Sequence, residues 1–310
     1  MSSPRIILCP GQGAQVVGMG KDLADRFPAA RQWFDRANAA LGYDLASVCF
    51  NGPEPDLTKT ENAQPGIFLV SWVAFQLLKE QVPSLAFQAT AGLSLGEFTA
   101  LTAAGAMSFE DGLRVVRQRG RFMQEACDVT RGGMAAVIGL DEAPTREVCA
   151  EAGVVLANLN CPGQIVISGE ADKITRACEL AKAKGARRAL PLTVAGAYHS
   201  PLMASAQPKL QAELSRVTLQ TPAVTVVSNV NAQPHATPES IRDLLVQQVT
   251  SSVRWEESMR YLLAQGFTRF IELGPGATLS GFMKRIDKTA VMLNVADAPS
   301  LETTTKALTT

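Results

Sequence analysis

The stretch that most constrains the fold covers residues 87–106, where an extended run leads directly into a serine between two glycines. The run FQATA is typical of a β-strand, GLSLGE follows it, and helix-forming residues at helical spacing come next. A Gly-x-Ser-x-Gly sequence between a strand and a helix is typical of a nucleophile elbow, and a plain turn is the alternative. The pattern therefore predicts a parallel α/β sheet that presents the hydroxyl of Ser94 at the start of a helix.

The remaining chain supports this fold and adds a second unit. Extended runs alternate with helical patterns on both sides of a central segment, as in a parallel sheet with helices on both faces. The central segment itself has the order β-α-β-β-α-β of a ferredoxin-like unit. We therefore predict an α/β-hydrolase-like core formed by residues 1–129 and 197–310, with a ferredoxin-like subdomain of residues 130–196 inserted into it. The polar residues 303–310 are expected to be frayed.

A serine hydroxyl is a weak nucleophile without a base, and the sequence contains only two histidines. His235 lies in a polar segment between two prolines, where a solvent-exposed surface histidine is the simpler interpretation. His199 lies where the predicted insertion returns to the core. We therefore predict that His199 is the base of Ser94. Two histidines and six scattered cysteines cannot form a zinc site of ordinary spacing, so we expect no metal.

Acyl transfer also requires hydrogen-bond donors for the developing oxyanion, and two segments can provide them. One donor is the backbone N–H of Leu95, directly after the elbow serine. The other is expected in residues 10–15, PGQGAQ, whose glycines allow the backbone to approach closely. This loop lacks the Lys-Ser/Thr pair of a phosphate-binding loop and does not match G-x-G-x-x-G, so nucleotide binding is disfavoured.

Four further segments join the elbow and the glycine loop in a resemblance that spans nearly the whole chain. The six segments are, in order, PGQGAQ (10–15), GLSLGE (92–97), RQRGRFMQ (117–124), YHSPLM (198–203), QVTSSVRW (248–255) and ELGPG (272–276). Together they resemble the malonyl-CoA:acyl carrier protein transacylase family. The resemblance implies transfer of a malonyl group from malonyl-CoA to the phosphopantetheine thiol of acyl carrier protein, through a malonyl-serine intermediate, in fatty acid synthesis.

The resemblance also implies roles for individual residues. Ser94 would be the acylated nucleophile and His199 the base. Backbone N–H groups of Gln12 and Leu95 would form the oxyanion hole. The main-chain carbonyl of Gln248 would orient His199 in place of a triad carboxylate.

Arg119 is the residue that the resemblance assigns to the substrate carboxylate. A guanidinium can hold a malonyl carboxylate through two parallel charge-assisted hydrogen bonds. Arg117 is the alternative, and only one of the two can face the cleft because positions 117 and 119 of a helix point about 200° apart. The pocket residues that the resemblance implies are Gln64, Met123, Asn160 and Leu93. Leu93 replaces the histidine of the more familiar Gly-His-Ser-Leu-Gly elbow, which removes a hydrogen-bond donor.

Composition limits the partners of this chain. Lys+Arg and Asp+Glu both number 29, so no overall field favours nucleic acid or an anionic membrane. No apolar run is long enough to span a bilayer, and the unpaired cysteine pattern indicates a reducing compartment. We expect a cytoplasmic monomer, or an organelle stroma or matrix protein after removal of a transit peptide. It would use malonyl-CoA as substrate and bind no permanent cofactor.

An acidic carrier protein would need a local basic patch on this neutral chain. The densest candidate is KAKGARR (182–188), from which we predict that Arg187 and Arg188 contact the carrier. The alternative is a structural role, because cations are favoured at helix C-termini.

Three alternative functions remain open. An acyltransferase of a polyketide pathway would use the same chemistry. A serine hydrolase of the α/β-hydrolase type would need an acidic residue between serine and histidine in the chain, and none stands out. A non-catalytic carrier-binding module would not need both Ser94 and His199.

Overall fold

The computed structural model describes residues 5–309. Within this range the strands are β1 (Arg5–Cys9), β2 (Ala89–Gly92), β3 (Gly132–Ile138), β4 (Val155–Cys161), β5 (Gln164–Glu170), β6 (Arg188–Pro191), β7 (Thr225–Val227), β8 (Arg269–Leu273) and β9 (Val291–Val295). The α-helices are α1 (Lys21–Arg26), α2 (Pro28–Leu41), α3 (Leu45–Asn51), α4 (Glu54–Thr58), α5 (Thr60–Gln81), α6 (Leu95–Ala103), α7 (Phe109–Asp128), α8 (Glu142–Ala152), α9 (Ala171–Ala183), α10 (Ala206–Leu214), α11 (Pro238–Gln248), α12 (Trp255–Ala264), α13 (Thr278–Ile286) and α14 (Ala298–Thr309). None of these described helices is both long enough and apolar enough to cross a membrane.

The larger sheet is fully parallel and forms the centre of the protein. Its strand order is β7-β2-β1-β8-β9, so the strand that leads into the elbow lies beside the central strand β1. On β1, Ile7 packs into one apolar cluster, while Ile6 and Leu8 pack into another on the opposite face. All three side chains are completely buried because helices cover both faces of the sheet. The predicted parallel α/β core is confirmed.

The smaller sheet is antiparallel and has the strand order β4-β5-β3-β6. With α8 and α9 it forms the predicted β-α-β-β-α-β order, and it has an apolar core of its own. All four strands lie within residues 130–196. The exact boundaries of this subdomain, and of the core segments 1–129 and 197–310, stay predictions.

The two sheets are joined by backbone pairing at one segment. The N–H of Leu159 donates to the carbonyl of Val253 at 2.9 Å, and the N–H of Val253 donates to the carbonyl of Ala157 at 2.8 Å. Strand β4 is therefore tied to the segment that precedes α12. The smaller sheet therefore lies beside the carboxyl ends of the parallel strands, where the elbow is located.

One feature of the helices differs from the sequence-based expectation. The prediction that residues 303–310 are frayed is wrong for the described part, because Ala298–Thr309 is a helix that packs on β9. Leu301 and Thr304 on its inner face are buried, which the polar composition of the segment concealed. Thr310 lies outside the described residues. In α5, which begins at Thr60, Pro65 lies inside the helix and Gln64 lies within its buried first half.

Candidate active site

Ser94 lies at the junction of β2 and α6 with backbone angles φ 53° and ψ −106°. These angles are strained for a residue other than glycine, as expected for a nucleophile elbow. The flanking glycines are required by packing. A Cβ atom on Gly92 would lie 1.9 Å from the backbone of Gly96, and one on Gly96 would lie 2.1 Å from the carbonyl oxygen of Cys9. No larger residue fits at either position without moving the turn away from β1.

The structure brings Ser94 and His199 together. The Oγ atom of Ser94 lies 2.8 Å from Nε2 of His199, and Nδ1 of His199 lies 2.9 Å from the carbonyl oxygen of Gln248. Because a carbonyl can only accept, Nδ1 carries the proton and Nε2 is left to accept the proton of the serine. His199 has a φ of 57°, so the predicted base is held in left-handed backbone like the predicted nucleophile.

The environment of His199 keeps its imidazole neutral. Burial, followed by the positive charge of Arg119, lowers the pKa of His199 from 6.5 to about 4. Both causes disfavour the imidazolium, the first through loss of hydration and the second through charge repulsion. The ring is therefore able to accept a proton throughout the neutral range.

Arg119 projects from α7 to the elbow and is only 1% exposed. Its Nη2 donates to Oγ of Ser94 at 3.0 Å and to Oε1 of Gln248 at 2.8 Å, while Nη1 donates to Oε1 of Gln64 at 2.8 Å. Its Nε is buried and has no hydrogen-bond partner among the described residues. Burial lowers the pKa of Arg119 to about 10, so the guanidinium remains charged at neutral pH.

Arg117 lies on the other side of α7. Its Nη1 donates to the carbonyl of Leu41 at 3.0 Å, and its guanidinium stacks over the ring of Tyr43. The structure therefore directs Arg119, and not Arg117, towards Ser94.

A cavity of about 830 Å³ opens in front of the serine, between the larger sheet and the smaller one. Seven of the residues singled out by sequence line it: Gln12, Leu93, Ser94, Arg119, Met123, Asn160 and His199. The carboxamide Oδ1 of Asn160 is buried there without a partner among the described residues, which leaves it available to a bound molecule. The residues that do not line the cavity are Gln64, Leu95, Gln248, Arg187 and Arg188. The first three are completely buried, and the two arginines are exposed on the smaller sheet.

The glycine loop after β1 packs directly against the elbow. A Cβ atom on Gly11 would lie 2.4 Å from the carbonyl oxygen of Leu93, which shows how closely the two backbones approach. The side chain of Gln12 contacts the Thr60 hydroxyl and the Gln64 amide, each at 3.4 Å. This proximity fits an oxyanion hole formed by Gln12 and Leu95, whose role stays a prediction.

The interpretation of His235 as a solvated surface residue is wrong. Its side chain is fully buried, and Nε2 donates to Oε1 of Glu97 at 2.7 Å. The backbone N–H of His235 donates to the carbonyl of Val226, which folds the polar loop back onto β7 and covers the ring. One signal in the sequence is that Glu97 is the only charged residue in helix α6, whose other members are apolar residues, one glycine and two threonines.

Sequence reasoning also missed Asn229, which bridges the elbow. Its Oδ1 accepts from the backbone N–H of Ser94 at 2.6 Å, and its Nδ2 donates to the carbonyl of Gly92 at 2.8 Å. Asn229 follows β7 closely, and the carboxyl ends of neighbouring parallel strands meet at one edge of a sheet. That rule could have placed Asn229 beside Ser94.

Within residues 5–309 no cluster of His, Cys, Asp or Glu is arranged to hold a metal ion.

Comparison with known proteins shows the family to which the whole chain belongs. The pattern of the acyl transferase domain family matches residues 6–307. The chain belongs to the acyl transferase domain family. The malonyl CoA-acyl carrier protein transacylase of Bacillus subtilis is 45% identical to this chain over 300 residues, which cover 95% of this chain and 94% of the relative.

Two solved structures agree closely with the fold. A malonyl CoA-acyl carrier protein transacylase from Coxiella burnetii superposes with a TM-score of 0.96 at 36% identity, covering 99% of this chain and 98% of that one. A malonyl-transacylase solved in complex with a type II PKS acyl-carrier protein superposes with a TM-score of 0.95 at 38% identity, covering 98% of this chain and 100% of that one. The resemblance derived from the six motifs is therefore confirmed.

Proposed function

We propose that this acyl transferase family member moves a malonyl group from malonyl-CoA to the phosphopantetheine thiol of an acyl carrier protein. One observation carries the proposal: Oγ of Ser94 lies between Nε2 of His199 at 2.8 Å and the guanidinium of Arg119 at 3.0 Å. The first contact suits a serine that is to be acylated. The second suits an acyl group with a free carboxylate, because no carboxylate among the described residues is hydrogen-bonded to Arg119.

In the loading half-reaction, Nε2 of His199 accepts the proton of Ser94 while Oγ attacks the thioester carbonyl of malonyl-CoA. The resulting oxyanion lies towards the backbone N–H groups of Gln12 and Leu95. When the intermediate collapses, the C–S bond breaks and the CoA thiolate takes the proton from His199. The product is a malonyl ester on Ser94 and free CoA thiol.

The transfer half-reaction runs the same steps in the opposite direction with a different thiol. His199 accepts the proton of the carrier thiol, and the thiolate attacks the carbonyl of the malonyl ester. The C–O bond to Ser94 then breaks, and His199 gives the proton to the departing Oγ. The ester bond to Ser94 retains the acyl group between the two half-reactions, and the guanidinium of Arg119 orients it by holding the malonyl carboxylate.

We place the reaction in fatty acid synthesis, because the relatives named above are called malonyl CoA-acyl carrier protein transacylases. The second candidate is a polyketide pathway, which the neighbour solved with a type II PKS acyl-carrier protein favours. A serine hydrolase is disfavoured by the orientation of His199, whose Nδ1 faces a backbone carbonyl and no triad carboxylate. We also propose a reducing, cytoplasm-like compartment, since all six cysteines are free and buried. The monomer stays a proposal that rests on the balanced charge of the chain.

The test is to incubate the protein with malonyl-CoA and to measure its intact mass before and after adding an acyl carrier protein that bears phosphopantetheine. We expect one malonyl increment on the peptide that contains Ser94, followed by its transfer to the carrier. Release of free malonate without a carrier would instead indicate a hydrolase. Equal loading from acetyl-CoA would contradict the assignment of the malonyl group.

Replacing Arg119 with alanine should change substrate selectivity. The malonyl carboxylate would lie unpaired in a buried site, at a cost of about 2–4 kcal/mol, or roughly 30-fold to 1,000-fold in kcat/KM. Loading from acetyl-CoA, which has no carboxylate, should fall far less or improve. Arg117→Ala is the matched control and should keep the malonyl preference, since Arg117 contacts Leu41 and Tyr43. An equal loss for both substrates in Arg119→Ala would make Arg119 a structural residue.

A double change of Arg187 and Arg188 to glutamate should weaken recognition of the carrier. Both side chains are exposed, and Arg188 begins β6, whose continuation at Leu192 lines the cavity. We expect a higher Michaelis constant for the carrier, unchanged loading from malonyl-CoA, and a defect that shrinks as salt screens the charges. The matched control changes Arg146 and Lys173, exposed cations on α8 and α9, to glutamate. Equal defects in both double variants would place the carrier elsewhere.

A further inference from the structure

The buried guanidinium of Arg119 has an anionic counterpart that it does not touch. Nη2 of Arg119 donates to Oε1 of Gln248 at 2.8 Å, and Nε2 of the same glutamine donates to Oε2 of Glu97 at 2.5 Å. Glu97 is completely buried in the first turn of α6. The side-chain amide of Gln248 therefore lies between the guanidinium of Arg119 and the carboxylate of Glu97, and the two charged groups do not touch.

Every other contact of the Glu97 carboxylate comes from the segments that surround the elbow. Oε2 also accepts from the backbone N–H of Asn229 at 3.2 Å, and Oε1 accepts from Nε2 of His235 at 2.7 Å. No lysine or arginine pairs with it directly among the described residues. Burial of a carboxylate is costly, and an apolar residue at this position would avoid that cost. Packing alone therefore does not account for a carboxylate at position 97.

The amide of Gln248 shows what the carboxylate does. Its oxygen faces the guanidinium, and its nitrogen faces both Glu97 and the carbonyl oxygen of Ser94, the latter at 3.0 Å. A flipped amide would bring two NH groups against the cation of Arg119 and an oxygen against the carboxylate. Glu97 consequently locks the amide in the one orientation that holds Arg119.

The distance between the two charges matters for the substrate. A carboxylate placed directly on Arg119 would occupy the donors that the malonyl carboxylate needs. A carboxylate one residue away offsets the buried positive charge and leaves the Nε–H of Arg119 without a partner among the described residues. Glu97 thus compensates the charge of Arg119, while the donors of Arg119 remain for the substrate carboxylate.

We propose that Glu97 is a positioning residue for malonyl transfer, whose carboxylate acts through the amide of Gln248 to hold Arg119 for a substrate carboxylate without occupying it. The proposal rests on the proposed function, because it concerns how the same cleft selects a carboxylate-bearing acyl group. Glu97 itself does not contact the substrate.

The test variant is Glu97→Gln, which keeps the shape of the side chain and removes its charge. We expect kcat/KM for malonyl-CoA to fall about 10-fold to 100-fold, mainly through KM, as is typical when a residue that orients a ligand-binding group is lost. The reactivity of Ser94 itself is followed with phenylmethylsulfonyl fluoride, a serine reagent that has no carboxylate. Its rate of inactivation should stay within about threefold of wild type, since Arg119 is not needed to bind it.

The matched control is Glu272→Gln. Glu272 is also a completely buried carboxylate, but it accepts from the backbone N–H groups of Leu279 and Ser280 at the start of α13. This variant should unfold at a lower temperature and keep the wild-type ratio between malonyl loading and reaction with the fluoride.

A second variant covers the case in which Glu97→Gln fails to fold. The double variant Glu97→Gln/Gln248→Glu exchanges amide and carboxylate, so it preserves the number of buried charges and puts the anion directly on Arg119. Its malonyl loading should fall more than its reaction with the fluoride, because the KM for malonyl-CoA is raised. Unchanged malonyl kinetics in either folded variant, or an equal loss of malonyl loading and fluoride reactivity, would overturn the proposal. Absence of malonyl loading in the wild-type protein would instead refute the proposed function.

Discussion

Replacement of Ser94 with alanine is expected to abolish covalent loading from malonyl-CoA and to leave the fold intact. The hydroxyl is the only side-chain group of this residue, and its partners are Nε2 of His199 and Nη2 of Arg119. Arg119 keeps its bonds to two glutamines in the variant, and the backbone N–H of residue 94 keeps its bond to Asn229. The loss of stability should therefore be about 1 kcal/mol, whereas the acyl-enzyme cannot form.

Intact-mass measurement after incubation with malonyl-CoA, with a thermal melt of the same sample, checks both parts of this expectation. Ser168→Ala is the matched control, because Ser168 is a completely buried serine on β5 that does not line the cavity. It should load like the wild type. A malonyl increment that persists in Ser94→Ala would show that another residue is the nucleophile.

Replacement of His199 with alanine should slow both loading and transfer by about 10²-fold to 10⁴-fold, the usual range for loss of a general base. Single-turnover rates for each half-reaction give the measurement. A loss confined to one half-reaction would contradict a base that serves both.

The pH profile offers a second readout for His199. Because the pKa of His199 is lowered to about 4, the base remains unprotonated at pH 6.5 and loses activity only as the pH falls towards about 4. The wild-type loading rate should show that acid limb, and His199→Ala should lack it. An acid limb near 6.5 would mean that His199 is hydrated in the working enzyme.

His235→Ala is not a silent control for this experiment, since His235 donates to the buried carboxylate of Glu97. We expect it to lower the unfolding temperature and to reduce the rate less than His199→Ala does. A larger loss from His235→Ala, with His199→Ala close to wild type, would reverse the choice of base.

Local sequence was sufficient where local geometry decides the structure. The elbow was predictable because a strand, two glycines and a helix lie within one short segment, and the smaller sheet was predictable because its elements follow one another in the chain. His235 was assigned wrongly and Asn229 was not identified, since their partners Glu97 and Ser94 lie 138 and 135 positions away. Neither composition nor periodicity near residue 235 contains information about a carboxylate at that separation.

The left-handed backbone of Ser94 and His199 bears on thermostabilisation of this enzyme. Each such residue costs of order 1–3 kcal/mol, a sizeable share of the roughly 5–15 kcal/mol by which a domain is stable. Glycine would relieve that cost at either position, since it adopts positive φ freely. A screen that selects variants only for survival on heating would therefore favour glycine at the two positions where the reaction takes place. Enrichment of heat-resistant variants should be coupled to a selection for turnover.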